Sequence, residues 1–238
     1  MKNKQLFCLT YAGGNASFFD DIEKDLQEYD VVKLEYAGHG ARHKESYYES
    51  FDELADNMYS IIKDSYSGGE YALFGYSMGS ISLVEVLHRI LDDPLFPDPC
   101  HVYLAAHEPH TKAELADFSS GELDEYVKQR TIRFGAVPEV LLNNKAFWRM
   151  YLPLYRADYS LIGKYKFENL DIKTTIPATV FYSPTDTPTE DMMQWQNYFA
   201  GACDYYSYEG THFFIQEHHR EMAEIIRKNF DGRISNDI

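Results

Sequence analysis

The chain has 238 residues, with 22 Lys plus Arg against 38 Asp plus Glu, and a net charge of −16 at pH 7. That length suits a single α/β domain of about 150–250 residues, and 45% hydrophobic residues suffice for a sizeable core. The acidic balance argues against non-specific nucleic-acid binding and against adhesion to anionic membranes, and no stretch approaches the ~20 apolar residues of a membrane span.

Short apolar runs alternate with helical patterns along the chain. Residues 6–9 read as a strand, 18–29 as a short acidic helix and 31–34 as a second strand. Phe51, Leu54, Ala55, Met58, Ile61 and Ile62 repeat at helical spacing, with Asp52, Glu53, Asp56 and Asp64 on the opposite face. Residues 71–74 form a compact strand running into Gly75, and 78–91 a helix ended by Asp92-Asp93-Pro94. Strands follow at 101–106, 178–182 and 205–208, and a last helix at 217–229. This rhythm predicts an α/β fold, a mostly parallel central sheet with helices on both faces. Residues 110–167 break it, with helical patterns at 121–134, after Pro138 and at 144–152 but no strand. They are expected to form an inserted helical lid over the C-terminal edge of the sheet, where open α/β sheets bind ligands. A single domain over 1–230 with a flexible 231–238 tail is expected.

Cys8, Cys100 and Cys203 are widely spaced and form no C-x-x-C pair, which argues against a disulfide framework or a cysteine zinc site. The apolar run near the N-terminus, about five residues, is too short for a signal peptide. A cytoplasmic location is the expectation. No G-x-x-x-x-G-K-[ST] or H-E-x-x-H pattern occurs.

Gly75-Tyr76-Ser77-Met78-Gly79 matches G-x-S-x-G between a strand and a helix. In that setting the two glycines permit a sharp turn that lifts the Ser77 hydroxyl clear of the sheet, above a helix N-terminus that favours negative charge. A serine hydroxyl needs a base, and the base an orienting acid, in the chain order Ser, Asp or Glu, His. Of nine histidines, only His212, His218 and His219 follow the last strand, and the last two fall on a helix. His212, in the loop at 208–214, is the candidate base. Asp186 leaves the strand at 178–182 through Ser183-Pro184-Thr185, and is the candidate acid. Asp191 competes but reads as part of the next helix. The backbone N–H of Met78 supplies one oxyanion donor. The second should come from the turn Tyr11-Ala12-Gly13-Gly14, with Ala12 preferred over Tyr11.

Taken together, these residues resemble the stand-alone (type II) thioesterases of non-ribosomal peptide and polyketide synthesis, over roughly residues 5–230. The first strand and its Ala-Gly-Gly turn are similar to the family's opening. Residues 35–42 resemble its P-G-R-G-x-R loop, and 74–80 its serine motif with Met after the nucleophile. Arg156-Ala157-Asp158 matches an R-A-D element, and residues 210–214 resemble G-G-H-F-F. Departures include Tyr76 for a usual His, Thr10 and Ala37 for prolines, and Thr211 for a glycine. Tyr76 and Tyr11 are expected to alter the pocket's shape. The resemblance implies an α/β-hydrolase fold with Ser77, Asp186 and His212 as the catalytic groups. It also implies hydrolysis of acyl thioesters on the phosphopantetheine arm of carrier-protein domains, with no cofactor beyond the arm the substrate carries. A monomer is expected. Carrier domains are typically acidic, so Lys128, Arg130 and Arg133 are candidates for a local basic docking patch. The alternatives are a hydrolase of acyl-CoA or small esters using the same residues, and a non-catalytic binding module.

Overall fold

Within the inner strands, apolar side chains point alternately to two faces, and both faces are buried. The computed structural model describes residues 4–109, 120–135, 137, 139–167, 172–201 and 203–232. Six strands pair in parallel in the order β2-β1-β3-β4-β5-β6: β1 (Lys4–Leu9), β2 (Asp30–Lys33), β3 (Glu70–Tyr76), β4 (His101–Ala105), β5 (Ala178–Tyr182) and β6 (Cys203–Ser207). Phe7, Leu9, Leu73, Leu104 and Val180 face one core with α2 (Phe51–Ser65) and α3 (Met78–Asp92). Leu6, Cys8, Phe74, Tyr103 and Phe181 face the other, with α1 (Asp20–Asp25) and α7 (Ile215–Asp231), the helix that follows the one-turn α6 (Thr189–Met192) and β6. The near-continuous apolar runs of the central strands follow from this two-sided burial.

The strand order reverses direction between β1 and β3. Such a switch point opens a crevice at the C-terminal ends of the strands. Leu9 pairs with Gly75, so the turn after β1 and the turn after β3 lie side by side. Gly75 and Gly79 allow that approach. A Cβ on Gly79 would meet the Leu9 carbonyl oxygen at 2.0 Å, and one on Gly75 the Gly79 oxygen at 2.3 Å.

The predicted strands are all present, and the helices differ in instructive ways. The segment expected as one helix at 18–29 is a 3₁₀ turn (Ala16–Phe19) followed by the six-residue α1. Its acidic residues Asp20, Asp21 and Glu23 fall in the first turn of α1, where the helix dipole favours them. In the lid, α4 (Ser120–Arg133) matches the expectation. However, α5 (Lys145–Lys164) runs twelve residues past the expected end, straight through Pro153. An interior proline costs a helix about 3 kcal/mol. The cost is offset by burial of Trp148, Tyr155, Asp158, Tyr159 and Ile162 along one face, and by Asn144, which caps the Ala146 and Phe147 amides. The R-A-D triplet therefore lies in mid-helix. Arg156 grips Asp124 of α4 through two hydrogen bonds of 2.8 and 2.7 Å, joining the two lid helices. The expected lid residues 110–119 lie outside the described residues. So does 233–238 of the expected tail, while Asp231 belongs to α7. Among the described residues no helix is long and apolar enough to cross a membrane.

Substituting Gly79 by Ala should force backbone against backbone at the switch point. The expected loss is about 2 kcal/mol or more, a fall in Tm of roughly 5 °C by thermal unfolding. Unchanged Tm would show that the crossing of β1 and α3 is not close.

Candidate active site

Ser77 sits at φ 56°, ψ −117°, a conformation that costs a non-glycine residue of the order of 1–3 kcal/mol. The surroundings hold it there. Its N–H donates to the Ala105 carbonyl at 2.8 Å. Ser80 Oγ lies 3.0 Å from both the Gly75 and the Ala105 carbonyl oxygens and accepts the Ala105 N–H at 3.1 Å. Met78 opens α3, so its N–H has no carbonyl four residues back within the helix.

Asp186 and His212 reach Ser77 from the paired strands β5 and β6. His212 Nε2 is 2.9 Å from Ser77 Oγ, and His212 Nδ1 is 2.7 Å from Asp186 Oδ2. All three side chains are buried, Ser77 at 9% exposure and the other two at 6%. The two outer loops are tied together: Ser183 Oγ and Thr185 Oγ1 donate to the Gly210 carbonyl at 2.7 and 2.6 Å. Tyr76, expected to shape the pocket, instead lies fully buried beneath the histidine loop and donates its hydroxyl to the His212 carbonyl at 2.7 Å. Its phenolic pKa is raised well above the ordinary value by burial, so the hydroxyl remains a donor. His218 packs on Tyr208 and His219 pairs with Asp25, so neither points toward Ser77.

Across the Ser77 hydroxyl lies a cavity of about 300 Å³ whose floor includes Ala12, Asp186 and His212. Its roof is the lid: Tyr126, Arg130, Arg133 and Phe134 from α4 and just beyond it, and Tyr159 and Ile162 from α5. A smaller aromatic recess of about 10 Å³, bounded by Tyr11, Tyr155 and Phe213, opens on the other side of Phe134. The cavity is more polar than an acyl slot alone requires, since Glu108, Asp191, Arg130 and Arg133 all line it. His107, also on its wall, is held below the ordinary histidine pKa, chiefly by burial.

Phe134 was not singled out by the sequence. It ends α4, next to Gly135 at φ +73°, and stacks on the His212 imidazole with centroids 4.0 Å apart and planes 13° from parallel. The Arg130 guanidinium lies 4.8 Å from the centre of the same Phe134 ring, and donates to Tyr126 Oη at 2.9 Å. Of the three expected docking cations, Arg130 is thus engaged at the site, whereas Arg133 lies at the cavity wall. In the turn after β1, Gly13 N–H donates to Asp158 Oδ2 at 2.6 Å and Gly14 N–H to the Tyr11 carbonyl at 2.9 Å. Ala12 lies beside Ser77 in both the cavity and the recess. Among the described residues no group of three or more His, Cys, Asp or Glu side chains is placed to hold a metal ion.

A parallel sheet with this lid and switch-point site is the α/β-hydrolase fold. The chain belongs to the thioesterase family: residues 4–230 match the thioesterase domain. It is 26% identical over 218 residues to the medium-chain S-acyl fatty acid synthase thioesterase of Rattus norvegicus, covering 90% of this chain and 82% of that one. It is 25% identical over 228 residues to the gramicidin S biosynthesis protein GrsT of Aneurinibacillus migulanus, covering 94% and 88%. The structure of the type II thioesterase BorB from the borrelidin biosynthetic cluster superposes with a TM-score of 0.80 at 25% identity, covering 95% and 92%.

Replacing Tyr76 by Phe should strand the His212 carbonyl in an apolar setting. A loss of about 1–3 kcal/mol is expected in denaturant unfolding. Wild-type stability would mean that water or another donor takes over.

Proposed function

We propose that this thioesterase hydrolyses acyl groups from the phosphopantetheine arm of carrier-protein domains in a peptide or polyketide assembly line. The observation that carries the chemistry is the continuous Ser77–His212–Asp186 relay, 2.9 and 2.7 Å, beneath a lid. Ser77 Oγ attacks the thioester carbonyl while His212 Nε2 takes its proton. The Met78 amide at the start of α3 and the Ala12 amide stabilise the oxyanion. The amides of Gly13 and Gly14 are taken by Asp158 and the Tyr11 carbonyl, and of the other two residues of that turn Ala12 lines both the cavity and the recess beside Ser77, Tyr11 the recess alone. The tetrahedral intermediate collapses with cleavage of the C–S bond, and the arm leaves as a thiol with the proton from His212. Water, deprotonated by His212, then attacks the acyl-serine ester; the C–Oγ bond breaks, His212 returns the proton to Ser77 Oγ, and the acid is released. Asp186 accepts a hydrogen bond from Nδ1 and stabilises the imidazolium formed in each half-reaction. The reaction calls on no resident cofactor.

The carrier assignment is supported by relatives whose names place them in gramicidin S and borrelidin biosynthesis. A physical argument supports it as well. On a chain of net charge −16, Arg130 and Arg133 stand at the cavity and Lys128 lies on the same helix. An anionic phosphate arm on an acidic domain would be drawn to that edge. Three cysteines that form no disulfide fit a reducing cytoplasm.

The decisive comparison is hydrolysis of one acyl group on a phosphopantetheinylated carrier domain, on coenzyme A and as a chromogenic ester. The carrier-bound thioester should lead in kcat/KM; an ester preferred by orders of magnitude would reverse the assignment to a small-substrate hydrolase. Ser77→Ala should abolish turnover and Asp186→Asn should lower kcat about 10³–10⁴-fold. Undiminished turnover in Ser77→Ala would remove the acyl-serine mechanism. The pair Lys128→Glu and Arg133→Glu should raise KM for the carrier-bound substrate about tenfold more than for acyl-CoA. Equal effects on both would show that the cations meet only the arm.

A further inference from the structure

A second histidine–aspartate pair lies outside the relay. His39, in the loop after β2, and Asp158, in the middle of lid helix α5, meet with Nε2 2.9 Å from Oδ2. Their side chains are 1% and 5% exposed. The same Oδ2 accepts the Gly13 N–H at 2.6 Å. One lid carboxylate oxygen therefore joins the β2 loop to the turn that carries Ala12. Tyr155, one helical turn before Asp158, packs on that turn so tightly that a Cβ on Gly13, at φ +78°, would lie 2.0 Å from its ring.

Hydrogen positions follow from the partners. His39 Nδ1 is 3.0 Å from the Ala37 carbonyl oxygen, which can only accept, so Nδ1 carries a hydrogen. The contact between Nε2 and Oδ2 needs a hydrogen too, whether it rests on nitrogen or on oxygen. The pair thus holds one proton more than a neutral histidine beside a carboxylate. Losing that proton leaves two lone pairs facing each other, at Asp158 or at Ala37 after a tautomer change.

We propose that His39 and Asp158 form a one-proton latch that fixes the Gly13 amide, and with it the neighbouring Ala12 amide, in the position that receives the oxyanion. Both are positioning residues, since neither touches Ser77. The inference rests on the Ser77 reading above but not on the carrier assignment.

The latch has a pH sign. Burial alone lowers the His39 pKa. Asp158, with smaller contributions from the Ala37 carbonyl and Glu35, outweighs it, and the net shift is upward. A raised folded pKa means that the stabilisation is complete below the unfolded value of about 6.5 and is lost as pH rises through the raised one. The other titratable groups around the pair are Glu35 and Tyr36 on the chain leading into the His39 loop, Tyr47 beyond it, and Tyr155 and Tyr159 on α5. Burial raises the pKa of all four phenols.

The test follows kcat from pH 6 to 10 on a short acyl thioester, with product measured by chromatography, for wild type, His39→Arg and Asp158→Asn. Wild type should lose kcat on the alkaline side, while His39→Arg, whose cation does not titrate, should keep its neutral kcat there. Asp158→Asn should lower kcat at least tenfold with KM within about twofold. In parallel, the imidazole nitrogen signals of His39 should titrate together with the alkaline loss of kcat, a readout that holds even if a variant fails to fold. The latch is overturned by an alkaline fall that persists unchanged in His39→Arg, by wild-type kcat in Asp158→Asn, or by a His39 that is neutral below pH 6.5. Ser77→Ala is run alongside: residual turnover there would sink the Ser77 reading, whereas an inactive Ser77→Ala leaves any failure to the latch alone.

Discussion

The site depends on one backbone constraint, the turn that holds Ser77 at positive φ between β3 and α3. A serine does not hold this conformation unaided. It persists because the turn is pinned from three sides: by the Ala105 carbonyl on β4, by Ser80 inside α3, and by Leu9 on β1 packed against Gly79. Ala106, at the end of β4, also has a positive φ of 56°, so the neighbouring strand end is bent to match. The sheet therefore supplies rigidity at the place where the hydroxyl must be exposed. Because β1 pairs with β3, the turn carrying Ala12 arrives beside Ser77 without a long loop.

The base and acid are held by a different means. They come from loops after β5 and β6, and loops alone would leave them mobile. Short polar ties compensate: the Ser183 and Thr185 hydroxyls on Gly210, and Tyr76 under His212. Behind the histidine, Tyr11, Phe18, Phe213 and Tyr76 meet edge to face at 4.7–4.9 Å. In front, Phe134 covers the imidazole face. Aromatic rings flank the His212 imidazole, and the less polar surroundings strengthen its hydrogen bond to Asp186. Part of the chain's high aromatic content thus encloses one proton relay.

Much of this was legible in the sequence because it is local. The glycines at 75 and 79, the strand before them and the helix after them are consecutive, and periodicity places them. Asp186 and His212 were reachable because each directly follows a strand, and parallel strands deliver their C-terminal ends to one edge. What escaped was long-range. Nothing near Phe134 shows that it will lie on residue 212. The helical pattern at 144–152 stops just before Pro153, yet tertiary burial carries the helix through it. Tyr76 was noticed as unusual but assigned to the pocket, since a motif cannot tell which side of the sheet a neighbouring side chain enters. His39 and Asp158 stood in the two matched elements at 35–42 and 156–158, yet 119 residues separate them, and only the folded lid brings them together.

Among the described residues are thus two buried histidine–aspartate pairs of nearly equal length, 2.7 Å at His212–Asp186 and 2.9 Å at His39–Asp158. What separates their chemistry is the atom opposite the other ring nitrogen. His212 Nε2 faces a hydroxyl, which donates or accepts, so the ring is free to exchange a proton across the reaction. His39 Nδ1 faces a backbone carbonyl, which only accepts, so its hydrogen is fixed and the pair works as a brace. The same two residue types therefore serve as relay and as strut according to a single neighbouring oxygen. The strut ties the lid helix to the turn after β1 through the Gly13 amide.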